Sequence, residues 1–369
     1  MGMVGGGEGA FIGAVHRMAA SLDGQVELVC GCFSSDAERS ARSGTVLGLP
    51  AARCYTDFFA MMRSEAALPA DERMEFVAVV TPNDLHLPVV KAALAAGFHV
   101  LSDKPATLNL DEARELQALV AGSGLHYALS HTYIGYAMVQ EARRRVLTGD
   151  LGQVRKVVVE YSQGWLADDA SDEVWRLDPA RSGASCCMGD IGTHAFNLAE
   201  TVTGLRVAEL SSDIGPLVPG RALDDDGTAL LRFENGARGV LIASQVSVGE
   251  ENNLSVRVYG ELAGLEWRQQ EPNSLLLKSN HGPCQVLRAG WPGTGAAAQA
   301  LGRVPAGHPE GYLEAFANLY RAFAGLLRDE PGNDFYLPGL GAAFRGMAFV
   351  DTVVASSAAG GRWLEIPNA

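Results

Sequence analysis

Short apolar runs alternate with stretches of helical apolar spacing through the first third of the chain. The runs predict strands at Gly2–Val4, Glu27–Phe33, Phe76–Thr81, His99–Ser102 and His126–Ser130. The spaced stretches predict helices near Ile12–Ala20, Ala37–Leu47, Tyr55–Glu65, His86–Ala96 and Leu110–Ala121, several closed by a glycine that can take the left-handed turn after a helix. This alternation is the mark of a parallel sheet wound with helices on both faces, over residues 1–130.

From about Thr132 the pattern changes. One helix is predicted over Met138–Thr148, followed by alternating β runs at Arg155–Tyr161, Ala208–Ile214, Thr228–Phe233, Gly239–Val248 and Leu254–Gly260. Turn signals at Asp225-Asp226-Gly227 and Glu234-Asn235-Gly236 fall between strands, so residues 131–369 read as an α+β domain on a mostly antiparallel sheet. One exposed face of that sheet offers an oligomer interface. Residues 289–309, rich in Gly, Ala and Pro, read as a long loop before a helix over Tyr312–Leu327, and Trp363–Ile366 as a short terminal strand.

Composition narrows the partners. Hydrophobic residues make up 47% of the 369, enough for two cores. The formal charge of −14, with no basic stripe, disfavours nucleic acid and suits a small neutral substrate. Cys30, Cys32, Cys54, Cys186, Cys187 and Cys284 show no C-x-x-C or disulfide spacing, and no run of eighteen apolar residues or leader-like segment is visible. The expectation is a cytoplasmic protein that neither spans a membrane nor holds a metal.

Chemistry gathers at the predicted strand ends. Gly5-x-Gly7-x-x-Ala10, with Phe11 and Ile12 opening the first helix, has the spacing at which a Rossmann turn receives a pyrophosphate. The second strand ends Phe33-Ser34-Ser35-Asp36: Ser34 and Ser35 tolerate a 2′-phosphate that Arg39 can reach, whereas Asp36 suits a ribose diol, so both NAD and NADP stand. Thr81-Pro82-Asn83-Asp84-Leu85-His86 and Ser102-Asp103-Lys104-Pro105 lie at later strand ends, where ligands of open α/β sheets bind. Lys104, before a proline, cannot continue a helix and is aimed to lower the cost of deprotonating a substrate hydroxyl. In the second half, Asp190 and His194 stand four residues apart, one face of a helix, with His194 suited to take a hydroxyl proton and Asp190 to orient it or grip a neighbouring hydroxyl.

In this order, the Gly-rich turn, Thr-Pro-Asn-x-x-His, Asp103-Lys104-Pro105 and Gly189-Asp190-Ile191-Gly192-Thr193-His194 resemble the glucose-fructose oxidoreductase, inositol dehydrogenase and MocA-like family over nearly the whole chain. The resemblance implies an α/β plus α+β protein: a Rossmann domain, then a domain with a large open-faced sheet through which copies form dimers or tetramers. It implies a nicotinamide cofactor, catalysis between the domains, Lys104 at the reacting hydroxyl, His194 as acid/base and Asp190 in substrate binding. Trp175 and Arg176 join Thr81, Pro82, Asn83, His86 and Asp103 as cofactor candidates; Trp165, Arg181, Tyr133 and His308 join the substrate candidates, with Tyr136 beside them. The expected reaction moves hydride between a sugar or cyclitol carbinol and the nicotinamide. Two other readings are an enzyme that oxidises a sugar transiently to allow elimination, and a dinucleotide-dependent sensor. The sequence departs from the family in its additional glycines, which leave open which amides meet the pyrophosphate, and in Ser34 where an acidic residue is usual.

Overall fold

The computed structural model describes residues 1–168, 174–330 and 335–368. The chain divides into two compact units. The first contains Met1–Ser130 together with later segments beginning at Phe316 and Leu337, and the second begins at His131 and resumes at Arg345. The sequence pattern carried no sign of the chain's return to the first unit.

The first unit is a five-stranded sheet ordered β2-β1-β3-β4-β5, built from β1 (Gly2–Gly5), β2 (Cys30–Cys32), β3 (Phe76–Val80), β4 (His99–Ser102) and β5 (Tyr127–Leu129). Every pairing is parallel. The helices α1 (Phe11–Leu22), α2 (Ala37–Val46), α3 (Phe58–Ala66), α4 (His86–Ala95) and α5 (Leu110–Ser123) are the crossovers. Because β1 pairs with β2 on one side and β3 on the other, the sheet changes winding direction beside β1, which puts the Gly-rich turn at the switch point. Both faces of the strands are covered, so Val77, Ala78, Val79 and Val100 are wholly buried. The start of α3 moved. The amide of Tyr55 is spent on the carbonyl of Gly31, so α3 starts only after Asp57, whose side chain caps the Ala60 amide.

The second unit opens with α6 (Ala137–Leu147) and β6 (Val154–Ser162), then α7 (Pro179–Ser182) and α8 (Thr193–Thr203). The strands β7 (Val207–Gly215), β8 (Asp226–Phe233), β9 (Arg238–Ser244), β10 (Asn253–Gly260), β11 (Gly264–Arg268), β12 (Ser274–Lys278), β13 (Gln285–Arg288) and β14 (Leu364–Glu365) join β6 in a nine-stranded sheet, ordered β13-β12-β11-β10-β6-β9-β8-β7-β14. Only β6 and β9 pair in parallel. Such a pair needs a crossover, and this one carries α8, which packs on β6, β9 and β10. The opposite face aligns Leu230, Val240 and Val158 in one cross-strand row, none of them fully buried.

Two expectations fail in this unit. Asp226 and Gly227 already belong to β8, while the turn before them is tied down by Asp225, which accepts from the amides of Leu217 and Val218 and from Arg221. Residues 289–309 hold the short helix α9 (Ala296–Leu301) rather than loop throughout. The strands β11–β13 and the last helix, α11 (Leu340–Ala358), carry mixed periodicity and were missed; α10 (Tyr312–Leu327) forms as expected. The Asn235-Gly236 turn does join β8 to β9, with Gly236 at φ 87°.

Candidate active site

The Gly-rich turn is shaped by close backbone approach. Gly5 takes φ 87° against the carbonyl of Val80, and Gly7 donates its amide to the carbonyl of Phe33. A Cβ on Gly13 would stand 2.3 Å from the Cα of Gly6, so α1 seats on the turn at Gly13, a residue outside the Gly5-x-Gly7-x-x-Ala10 reading. Ala10 is the N-cap of α1 and its amide bonds to Gly7; Phe11 is exposed at the helix start, with Ile12 after it. At the end of β3, Thr81 Oγ1 is buried without a protein partner, as a hydroxyl that meets a ligand would be. The bare turn and this hydroxyl fit a dinucleotide. At the end of β2, Asp36 is occupied as the cap of α2, accepting from the Arg39 amide, and Ser34 accepts from the Asp36 amide, while the Ser35 and Arg39 side chains lie in the open.

Beyond β4 lies an ordered polar knot. Asp103 accepts from Ser130 Oγ at 2.9 Å and from the Lys104 amide at 2.8 Å. His16, fully buried on α1, puts Nε2 3.9 Å from the Asp103 carboxylate and Nδ1 2.7 Å from the Tyr320 hydroxyl. Burial alone would raise the Asp103 pKa, but the neighbouring His16, with Lys104 and His86, outweighs it and holds the carboxyl well below the usual range. The peptide bond between Lys104 and Pro105 is cis. His86 sits between the carbonyls of Pro105 and Thr81, at 2.6 and 3.0 Å. Burial lowers its pKa, while the two carbonyls and Asp103 act in the opposite direction. His86 therefore ties the β3 end to the turn that carries Lys104. Pro82 precedes the short turn Asn83–Leu85, in which Asn83 is buried.

In the second unit, residues Met188–Gly192 form a π-helical turn that runs into α8, widening the helix where Asp190 and His194 stand. Asp224 splints this turn, accepting from Ser185 Oγ and from the amides of Cys186 and Met188. Asp190 Oδ2 receives Gln245 Nε2 at 2.9 Å and lies 3.3 Å from Arg176 Nε. His194, 8% exposed, is enclosed by rings: Tyr133 at 4.9 Å, His131 at 5.2 Å and Tyr161 at 6.2 Å. The Tyr133 and Tyr161 hydroxyls bond to each other, and Tyr161 donates to Asn252 Oδ1, which also accepts from Gln163. Burial pushes both phenols up, so they remain neutral donors. His194 is thus an imidazole set among hydroxyl and amide groups.

The remaining candidates divide. Trp175 is flanked by Arg176 and Arg181, at 4.7 and 5.9 Å from its ring, so Arg176 links the tryptophan to Asp190. Trp165 is half exposed and donates to Gln163, placing it on the edge of the amide network. Tyr136 packs on the buried Trp267 instead of the pocket rim. His308 does not open the helix: it sits in an exposed turn, Nδ1 3.0 Å from the carbonyl of Pro305, and α10 begins four residues later at Tyr312, whose ring lies 6.1 Å from Tyr133. Sequence reading missed His131, Tyr161, Gln245 and Asn252, which are scattered along the chain and carry no motif; only the alternation of β6 hinted that Tyr161 faces inward. Among the described residues, no three His, Cys, Asp or Glu side chains are grouped to hold a metal, and no helix is long and apolar enough to cross a membrane.

Residues 1–131 match the family model described as "Oxidoreductase family, NAD-binding Rossmann fold", and residues 139–266 match the GFO/IDH/MocA C-terminal domain. The chain is 32% identical to the uncharacterised oxidoreductase YfiI of Bacillus subtilis, covering 98% of this chain and 95% of that one. Among solved structures, an oxidoreductase from Sinorhizobium meliloti is 43% identical with a TM-score of 0.90, each chain covered to 98%. An inositol dehydrogenase homologue from Azotobacter vinelandii, complexed with NADH and myo-inositol, is 33% identical with a TM-score of 0.93, covering 99% of this chain and 96% of that one. Matched in both halves and along almost its full length, this chain belongs to the Gfo/Idh/MocA family of NAD-binding oxidoreductases.

Proposed function

We propose that the protein oxidises a secondary hydroxyl of a sugar, sugar derivative or cyclitol, with NAD or NADP as the acceptor. The observation that carries this reading is the setting of His194: an imidazole one turn from a carboxylate, enclosed by neutral phenols and bordered by amides. Such a site binds several hydroxyls by hydrogen bonds and rejects analogues that lack them. His194 takes the hydroxyl proton, Lys104 polarises the oxygen, and Asp190 grips an adjacent hydroxyl. Asp190 arrives oriented because Gln245 and Arg176 hold one of its oxygens. Gly5, Gly7, Ala10, Phe11, Ile12, Ser34, Ser35, Arg39, Thr81, Pro82, Asn83, His86, Asp103, Trp175 and Arg176 hold the dinucleotide, which accepts hydride when bound. Tyr133, Trp165 and Arg181 contact substrate; Tyr312 takes the place first given to His308.

The half-exposed row of Leu230, Val240 and Val158 on the open sheet supports assembly of two or four copies through that face. The six free cysteines suit a reducing cytoplasm. The test is absorbance at the reduced-nicotinamide band with NAD+ and NADP+ separately, across inositols, aldoses, anhydrosugars and glycosides. Reduction with one substrate class is expected, and comparison of the cofactors reads the Ser34–Arg39 edge. Tight dinucleotide binding with no reduction overturns the reading in favour of transient oxidation or a sensor.

A further inference from the structure

His131 and His194 face each other through the same ring atom: their Nδ1 nitrogens are 3.3 Å apart and the rings stand at 79°. Both side chains are buried, at 2% and 8% exposure. Two neutral rings in this arrangement hold one proton between them. Two bare nitrogens would set lone pair against lone pair, and two N–H groups would set donor against donor. Each ring's tautomer is thus fixed by the other's, and the choice decides what the outer nitrogen of His194 can do.

We propose that His131 is the positioning residue that makes His194 a base. It stays neutral with its proton on Nε2 and accepts the Nδ1–H of His194, so Nε2 of His194 keeps its lone pair. The inference rests on the reading of His194 as the acid/base. With the proton placed the other way, His194 would carry Nε2–H and could not accept the hydroxyl proton there. With it placed as proposed, the alcohol proton moves to Nε2 of His194 while the carbon's hydride passes to NAD+, and the imidazolium formed still donates through Nδ1 to His131. In the reverse direction the same proton leaves Nε2 and the starting tautomer returns. His131 thus plays the orienting part that a carboxylate plays in other histidine-based sites, without adding a charge beside Asp190. The neutral phenols of Tyr133 and Tyr161 complete the enclosure.

Two measurements test this. Long-range nitrogen NMR of the histidine-labelled full chain, without substrate, is expected to show His194 protonated on Nδ1 and His131 on Nε2; Nε2–H on His194 in the native protein overturns the proposal. With myo-inositol and NAD+, His131→Phe is expected to lower kcat about tenfold or more with KM within about twofold, and His131→Asn, which keeps an acceptor near the Nδ1 position, to recover most of the loss. Equal kcat in His131→Phe and the parent overturns the proposal. If His131→Phe does not fold, the parent NMR and His131→Asn still decide. Absence of turnover on every polyol defeats the dehydrogenase reading, while the NMR result judges the tautomer by itself.

Discussion

Asp103, which is largely enclosed, and Asp224, which is buried, lie in different units, and their surroundings push them in opposite directions. Asp103 is surrounded by groups that carry or can carry positive charge, His16, Lys104 and His86, and its carboxyl is held far below the ordinary range against the effect of burial. Asp224 has only neutral donors, Ser185 Oγ and the amides of Cys186 and Met188, and burial wins, so its pKa is raised. Hydrogen bonds alone do not keep a buried carboxylate as acidic as nearby cations do. The first unit thus presents Lys104 from a charged knot. The second presents His194 from a splinted turn inside a neutral cage.

The largest expected effects fall on the two proposed reacting groups. If each unit supplies one of them, Lys104→Met and His194→Phe each lower kcat by about 10³-fold, roughly 4 kcal/mol of barrier, while dinucleotide affinity survives in His194→Phe. Steady-state reduction of NAD(P)+ and fluorescence titration with the dinucleotide measure both. Loss of less than tenfold in either variant would mean that one unit carries the chemistry alone.

How legible each unit was in the sequence follows the same division. In the first, the candidate site residues follow the ends of parallel strands, so locating β1, β3 and β4 also located the candidates Gly5, Thr81 and Lys104. What stayed hidden there was Gly13, whose role depends on a backbone approach to Gly6, and the partnership of His16 with Tyr320, which are distant in sequence. In the second unit only the four-residue spacing of Asp190 and His194 is local. His131, Tyr161, Gln245 and Asn252 come from a 3-10 turn, a strand and two strand-end loops brought together by an antiparallel sheet whose pairing the sequence does not announce. The Asp225-Asp226-Gly227 reading failed for a related reason: composition suggested solvent where Asp224 and Asp225 are in fact buried acceptors, Asp224 for groups far along the chain and Asp225 for groups of its own loop.

Smaller effects sharpen the contrast between the aspartates. Asp103→Asn is expected to cost about 2 kcal/mol at neutral pH, because a largely enclosed carboxylate with charged partners is lost. Its folded pKa lies below the unfolded value of about 3.9, so the stabilisation is complete above that value and is lost as pH falls through the folded one. The Asp103→Asn penalty should therefore be equal at pH 7 and 4.5 and smaller at pH 3.5. Asp224 has the opposite sign: its folded pKa is above the unfolded value, so its contribution is fullest below about pH 4 and declines as pH rises through the folded value. The Asp224→Asn penalty should grow between pH 7 and 4.5. Urea unfolding at the three pH values decides, and parallel behaviour of the two variants would erase the distinction.

The smallest expected effect concerns Cys186, for which the sequence suggested no role. Burial pushes its thiol up to about 12, so it is no nucleophile at neutral pH, and it packs against Leu166 and Leu223. Its Sγ lies 3.5 Å from Gln245 Oε1, while Gln245 Nε2 donates to Asp190. The thiol thus helps choose which end of the Gln245 amide faces the carboxylate, and a reversed amide would set oxygen against oxygen. Cys186→Ala removes that weak preference and should raise KM about twofold to threefold with kcat nearly unchanged. Cys284, exposed in the same unit, provides the control: Cys284→Ser should leave KM, kcat and stability at parent values. A fall in kcat for Cys186→Ala without a change in KM would place the thiol in the proton path instead, and the second unit's cage would then be less inert than its neighbouring phenols make it.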